Sequence, residues 1–104
     1  MTLSKDKLVA LYSLYKEGHF EQVLQQCNAL LEEFSTDISL LKILAASNIG
    51  LGRLDVAIEH YKIIINLNPM DAEGYNSIGV AYKKKGDISV AIESYQQAVN
   101  LNPD

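Results

Sequence analysis

Residues 54–69 and 88–103 are near copies of each other, and this repetition constrains the fold more than any other feature of the 104-residue chain. Nine of their sixteen aligned positions are identical, and the two segments are offset by 34 residues. A fixed period of roughly 20–50 residues indicates stacked small units and not one centralised core. The sequence therefore predicts a repeat array, with rows that begin at Ser4, Ile38 and Ala72.

Glycines and prolines recur in the same register and mark the ends of helices. Gly18, Gly52 and Gly86 each follow a pattern of apolar residues three or four apart and precede another. Glycine readily adopts the left-handed conformation that ends a helix, so these positions predict tight helix–helix turns. Pro69 and Pro103 each follow an Asn and mark the ends of the second helices, because proline cannot continue a helix.

Helix starts are marked by Asp37, Asp71 and Asp87, which stand where N-cap residues are favoured. No period-2 alternation is present, so we predict an all-α chain without strands. Six helices are expected, at about 5–17, 20–34, 38–51, 54–67, 72–85 and 88–101. The short connections between them predict antiparallel neighbours.

Small residues at equivalent positions predict where helices approach closely. In the third row we expect Gly79 of the first helix to face Ala91 of the second across a tight crossing. Cys27 shares a column with Tyr61 and Tyr95 on the second helices. This position predicts a core residue and not a reactive thiol.

The third row carries a specific pattern. It has Tyr75, an Ile78-Gly79 pair and Tyr82 on its first helix, then Ala91, Tyr95, Ala98 and Pro103. This pattern closely resembles the tetratricopeptide repeat (TPR) family, and the resemblance extends over residues 4 to 104. It implies a right-handed α-α superhelix of three helix-turn-helix repeats, at about 4–37, 38–71 and 72–104, in a single domain of residues 1–104.

The first two rows depart from the family pattern at several positions. Row one has Lys7 in place of the aromatic residue, Leu11 in the small column and Ser35 in place of proline. Row two departs at Ala45 and at Asn48, which stands where Tyr82 stands in row three. A polar group at such a core-like position needs a hydrogen-bond partner or water, or it costs about 1–3 kcal/mol.

Composition and residue spacing favour a non-catalytic protein. His19 and His60 lie 41 residues apart, Cys27 is the only cysteine, and no clustered ligands suggest a metal site, so we expect neither an enzyme nor a cofactor. The net charge of −4 argues against binding to nucleic acid or to an acidic membrane. The lone cysteine and the absence of a signal peptide predict a cytoplasmic protein.

Stacked helical hairpins curve, and their first helices line the concave side. The residues expected there are Lys5, Leu8, Val9, Tyr12, Tyr15 and Lys16 in row one, Ser39, Lys42, Ile43, Ala46 and Ile49 in row two, and Glu73, Asn76, Ser77, Val80, Lys83 and Lys84 in row three. In TPR proteins this surface commonly receives an extended peptide or a helix of a partner. Five of the nine basic residues but only one acid fall in the set, so we predict a partly basic groove and an acidic partner. The alternative is that these lysines are ordinary solubilising residues.

One TPR subclass clamps the C-terminal carboxylate of chaperone tails with Lys and Asn side chains. The matching positions here hold Leu8, Tyr12, Ile43, Glu73 and Ser77. None of these residues except Ser77 carries the donor that the clamp needs, and Glu73 would repel a carboxylate, so we expect no such clamp.

Two further hypotheses concern the rest of the molecule. Because the sequence stops at the end of a repeat, the chain could be the N-terminal recruitment or oligomerisation segment of a larger enzyme, such as a glycosyltransferase or sulfotransferase. The last helix also repeats the apolar positions of the fourth, and nothing after it would cover Ile92, Val99 and, in part, Leu101. This uncapped helix predicts homo-oligomers at high protein concentration.

Overall fold

The computed structural model describes residues 2–103. It contains α1 (Lys5–Lys16), α2 (Phe20–Leu31), α3 (Ile38–Gly50), α4 (Leu54–Leu67), α5 (Ala72–Lys85) and α6 (Ile88–Leu101). Within that range no strand is present, as predicted. The helices pair into three hairpins, and each helix packs against the next along the chain. The architecture is an all-α helical repeat solenoid.

The glycine turns are confirmed. Gly18, Gly52 and Gly86 have φ values of +82°, +76° and +99°, a region that side chains with a Cβ rarely adopt. Each follows the last turn of a hairpin's first helix and lets the chain reverse within a few residues.

Two of the three predicted aspartate caps are made. Asp37 Oδ1 accepts from the Leu40 backbone N–H at 3.0 Å, and Asp71 Oδ1 accepts from that of Glu73 at 3.1 Å. Asp87 occupies the predicted N-cap position of α6, but its side chain makes no capping hydrogen bond. The Gly86 turn is tight enough that the Ile88 N–H instead bonds to the Gly86 carbonyl at 3.0 Å.

Helix α2 ends at Leu31, three residues before the predicted end. Glu32 and Glu33 follow at once, and acidic side chains destabilise the C-terminal end of a helix through its dipole. The chain turns there, with the Asp37 N–H bonded to the Phe34 carbonyl at 3.1 Å. Phe34 thereby packs against the core.

The core consists of two clusters that join successive hairpins. The first joins hairpins one and two through Leu3, Leu11, Val23, Leu24, Cys27, Leu40 and Leu44. The second joins hairpins two and three through Leu41, Ala45, Ala57, Ile58, Tyr61, Ile64, Ile78 and Ala81. Cys27 is fully buried, and burial raises the pKa of its thiol to about 11, so the predicted core role is confirmed.

The close approach in the third hairpin differs from the one predicted. A Cβ placed on Gly79 would lie 2.8 Å from Cε1 of Tyr95, and the three nearest atoms all belong to that ring. The closest approach to Gly79 is therefore made by Tyr95, and Ala91 is buried on the same helix. The Tyr95 ring extends from α6 to α5 where the two helices cross. The alignment of equivalent positions in the sequence does not reveal this contact.

Two polar residues of α3 are buried, and they differ in how they are satisfied. Asn48, only 2% exposed, donates from Nδ2 to the Leu44 carbonyl at 3.0 Å, which meets the predicted need for a partner. Ser47 is fully buried, and among residues 2–103 its Oγ is the one such side-chain oxygen without a hydrogen-bond partner. Ala81 occupies the equivalent position in the third hairpin.

Replacing Ser47 with alanine should stabilise the protein by about 1 kcal/mol, since it removes an unsatisfied hydroxyl and raises helix propensity. Urea denaturation monitored by circular dichroism would measure the change. Ser13→Ala, at the exposed equivalent position of α1, reports propensity alone. Equal effects of the two substitutions, or a loss of stability in Ser47→Ala, would contradict the prediction.

Candidate functional site

A cavity of about 480 Å³ lies where the three first helices, α1, α3 and α5, come side by side. Its lining residues are Tyr12 and Tyr15 of α1, Lys42, Ile43, Ala46 and Ile49 of α3, Tyr61 of α4, and Glu73, Ser77, Val80 and Lys84 of α5. On α3 successive lining positions are one or three residues apart and the outermost two are seven apart, so they share one face of the helix. All but Tyr61 belong to the set expected on the concave side.

Seven residues of that predicted set lie outside the cavity: Lys5, Leu8, Val9, Lys16, Ser39, Asn76 and Lys83. Leu8 packs against the first core cluster, and the Lys16 ammonium stands 5.7 Å from the centroid of the Tyr12 ring. Asn76 lines a separate depression beside Ala98 and Val99. The others are exposed on neighbouring faces of their helices.

Tyr61 is the lining residue that the sequence did not predict. Its column on the second helices indicates core packing, and the side chain is indeed only 4% exposed. It nevertheless lies between the helices of its own and the next hairpin and forms part of the cavity wall. Burial raises the pKa of the Tyr61 phenol to about 12, an effect that the Ser77 hydroxyl partly offsets.

The cavity is less basic than predicted. Of the five lysines expected in the groove, only Lys42 and Lys84 line it. Lys42 Nζ lies 2.8 Å from Asp71 Oδ2 and 3.7 Å from Glu73 Oε1, so its charge is already neutralised. The lopsided charge count comes largely from lysines outside the cavity.

Lys84 differs from Lys42 in its surroundings. Within residues 2–103, no carboxylate lies at ion-pair distance from it. It lies in the last turn of α5 and extends the part of the cavity lining that the third hairpin supplies. Lys84 is therefore the cationic group of the lining that remains available to a ligand.

One wall of the cavity is aromatic. The ring centroids of Tyr12 and Tyr15 are 6.0 Å apart, and those of Tyr15 and Phe20 are 5.9 Å apart, both within the range of aromatic pairs. Tyr12 is 51% exposed although it is large and partly apolar. Tyrosine presents a rigid apolar face together with a polar tip, a combination suited to contact with a protein ligand.

A second exposed surface lies on α6. Ile92 and Val99 are 50% and 58% exposed, and Leu101 is partly buried. Ile58, which precedes Ile92 by one period, is only 4% exposed because α5 covers it. The predicted exposure of this helix face is thus confirmed, whereas self-association through it stays a prediction.

Two other features bear on the chemistry of residues 2–103. No three His, Cys, Asp or Glu side chains come together there in a way that could hold a metal ion. None of the helices in this part of the chain has the length and apolar character needed to cross a membrane.

Family models match the second half of the chain. A model described as "TPR repeat" matches residues 50–86, and one described as "Tetratricopeptide repeat" matches residues 72–104. Together they cover residues 50–104, more than half of the sequence. The chain belongs to the tetratricopeptide repeat family. TPR arrays are in general non-catalytic, and the repeats make this chain a protein-interaction module.

Curated relatives match the chain over a small part of their own length. Rhomboid protease GluP of Bacillus subtilis is 32% identical over 72 residues, which are 69% of this chain and 14% of that protein. A UDP-N-acetylglucosamine–peptide N-acetylglucosaminyltransferase of Caenorhabditis elegans is 28% identical over 74 residues, 71% of this chain and 6% of that protein. The TPR chain thus spans a small fraction of the relatives that it matches.

Two solved structures superpose on nearly the whole chain. The type III secretion translocator chaperone SycD of Yersinia enterocolitica, described as an alternative dimer, has a TM-score of 0.84 at 23% identity and covers 97% of this chain and 80% of its own. The first TPR of Spaghetti (RPAP3), bound to the HSP90 peptide SRMEEVD, has a TM-score of 0.84 at 17% identity and covers 98% and 84%. At such identities the likeness shows the fold.

Proposed function

We propose that the cavity between α1, α3 and α5 binds a peptide or helix of a partner protein. The observation that carries this proposal is that all three hairpins contribute to one cavity of about 480 Å³. A segment laid across it would contact every repeat at once. Peptide-binding grooves of this kind obtain affinity from apolar anchors and orientation from a few polar groups.

The lining favours a ligand with an apolar stripe. Ile43, Ala46, Ile49 and Val80 supply aliphatic surface, and the Tyr12–Tyr15 pair supplies an aromatic wall beside it. An amphipathic helix presents apolar residues three and four positions apart, which matches a groove of this form. We therefore expect the main anchors of the partner to be apolar or aromatic.

An acidic group on the partner would pair with Lys84. Since Lys42 is held by Asp71 and Glu73, the cavity offers one available cation and not a continuous basic surface. The acidic character that we propose for the partner is accordingly limited to one or two carboxylates. Such exposed pairs contribute about 0–1 kcal/mol, so they would orient the ligand more than hold it.

The chaperone tail bound by the RPAP3 repeat is not the ligand that we propose here. Ile43, Glu73 and Ser77 all line the cavity, at positions where the clamp subclass has groups that bind a terminal carboxylate. The Glu73 carboxylate would repel a second carboxylate, and Ile43 has no donor. A peptide that ends in EEVD should therefore bind no better than its C-terminal amide.

The test is selection from a displayed library of 12–16-residue peptides on the immobilised chain, followed by NMR titration of the selected peptide. We expect amide shifts to concentrate at Ala46, Ile49, Ser77 and Val80. The amides of Val56 and Ile63, which are exposed apolar residues outside the cavity, serve as the control. Shifts centred on those residues, or no saturable binding, would refute the proposal.

The second candidate function concerns a larger protein. The similarity to part of two N-acetylglucosaminyltransferases supports a role as the recruitment or oligomerisation segment of an enzyme such as a glycosyltransferase. Sequencing the complete reading frame separates the two, because a stop codon after residue 104 removes the second. The groove could serve either function.

A further inference from the structure

Helix α6 exposes a face whose counterpart on α4 is covered. Ile58 and Tyr61 of α4 are each 4% exposed because α5 packs over them. The residues one period later are Ile92, which is 50% exposed, and Tyr95, which is half-buried. Ile88 and Val99 extend the same side of α6 and are 52% and 58% exposed. No described residue covers this face.

A second copy cannot cover α6 by continuing the array. In α5, the residues that pack on the preceding helix are Gly74, Ile78 and Ala81, all buried. Their counterparts on α1, two periods earlier, are Asp6, Ala10 and Ser13, and all three are exposed. Stacking this face of α1 onto α6 of another copy would bury the Asp6 carboxylate against apolar side chains, which is costly.

The α6 face is suited to pairing with itself. A shallow cavity of about 250 Å³ on it is lined by Ile92, Tyr95, Gln96, Val99 and Asn100. None of these side chains is charged at neutral pH. In a twofold interface both copies contribute the same surface. A charged residue there would therefore lie near the residue of the same charge in the other copy, which is unfavourable. Gln96 and Asn100 each carry both donors and acceptors and can bond to their own kind.

We propose that two copies of the chain pair through the α6 faces about a twofold axis and form a closed dimer. The interface consists of Ile88, Ile92 and Val99, with Gln96 and Asn100 at its margin. The interface residues do not line the cavity between α1, α3 and α5, so this proposal does not depend on the proposed function. Because the α1 face is polar, assembly stops at two chains.

Sedimentation equilibrium of the 104-residue chain from micromolar to millimolar concentration tests the proposal. We expect a monomer–dimer equilibrium with no larger species. In the variant Ile92→Lys/Val99→Lys the dimer dissociation constant should rise about 100-fold or more, since each substitution occurs twice in the interface. Two lysines are used because charges of opposite sign could pair across the axis.

Two control variants distinguish pairing through α6 from a general effect of added charge and from head-to-tail stacking. Ile63→Lys places the same charge on an exposed isoleucine of α4 and should leave dimerisation unchanged. Ala10→Lys changes the α1 face and should also have no effect, whereas head-to-tail stacking would be abolished by it. A wild type that remains monomeric at millimolar concentration, or assembly that grows beyond two chains, would overturn the proposal. Circular dichroism confirms that each variant keeps its helices.

Discussion

Replacing Ile64 with alanine should destabilise the protein by about 2–5 kcal/mol, a large part of the stability of a domain of this size. Ile64 is fully buried in the cluster that joins hairpins two and three. Its removal leaves a cavity beside Gly74, whose nearest neighbours are Ile65 and Ile64. Because both hairpins lose contacts, the urea unfolding transition should become broader or move as a whole to lower urea concentration. Urea denaturation monitored by circular dichroism measures the loss.

Ile63 provides a matched control because it precedes Ile64 in the same helix and is 45% exposed. Ile63→Ala deletes the same atoms but should cost less than about 1 kcal/mol, because those atoms already contact water. If the two substitutions had equal effects, the assignment of Ile64 to the interface between the hairpins would be wrong.

Ala46→Arg should weaken binding of the selected peptide at least about 100-fold, which corresponds to about 2.7 kcal/mol. Ala46 is a half-buried residue at the middle of the α3 lining, and a long side chain placed there would occupy the cavity. Since the cavity is open, the substitution should displace the ligand without overpacking the core. Isothermal titration calorimetry measures the affinity.

The control for this prediction is Ala29→Arg, which adds the same side chain to an exposed position of α2 outside the cavity. It should leave both affinity and helicity unchanged. Unaltered affinity in Ala46→Arg would show that the peptide binds elsewhere. A parallel loss in both variants would indicate an effect of charge alone, which rising salt concentration would reduce.

The helices and turns could be predicted because their signals are local. Gly18, Gly52 and Gly86 need only the backbone to act as turns, and apolar residues three or four apart need only one helix to define a face. Repetition then supplied the stacking order, since equivalent residues occupy equivalent places. Ten of the seventeen residues expected on the concave side line the cavity for this reason.

The remaining features depend on where side chains of different helices meet. The position of Lys42 on α3 suggests an ammonium group that is free to bind a ligand. The carboxylate of Asp71, at the start of α5, pairs with it instead. The ring of Tyr95 makes the closest approach to Gly79, where the register of the helices points to Ala91. The column of Tyr61 on the second helices indicates the core, and the residue is both buried in the core and part of the cavity wall. Helical periodicity gives the direction of each side chain around one helix axis. It does not give the distances between side chains on two different helices.

The Lys42–Asp71 pair has a mechanical consequence. Asp71 caps α5 through Oδ1 and holds Lys42 of α3 through Oδ2, so one largely buried carboxylate ties hairpins two and three together. At the preceding joint, Asp37 caps α3, but Leu8 stands where Lys42 stands. Apolar contacts are not directional and allow small sliding. Under load the array should therefore flex at its first joint, and a bulky ligand would gain room by tilting the first hairpin.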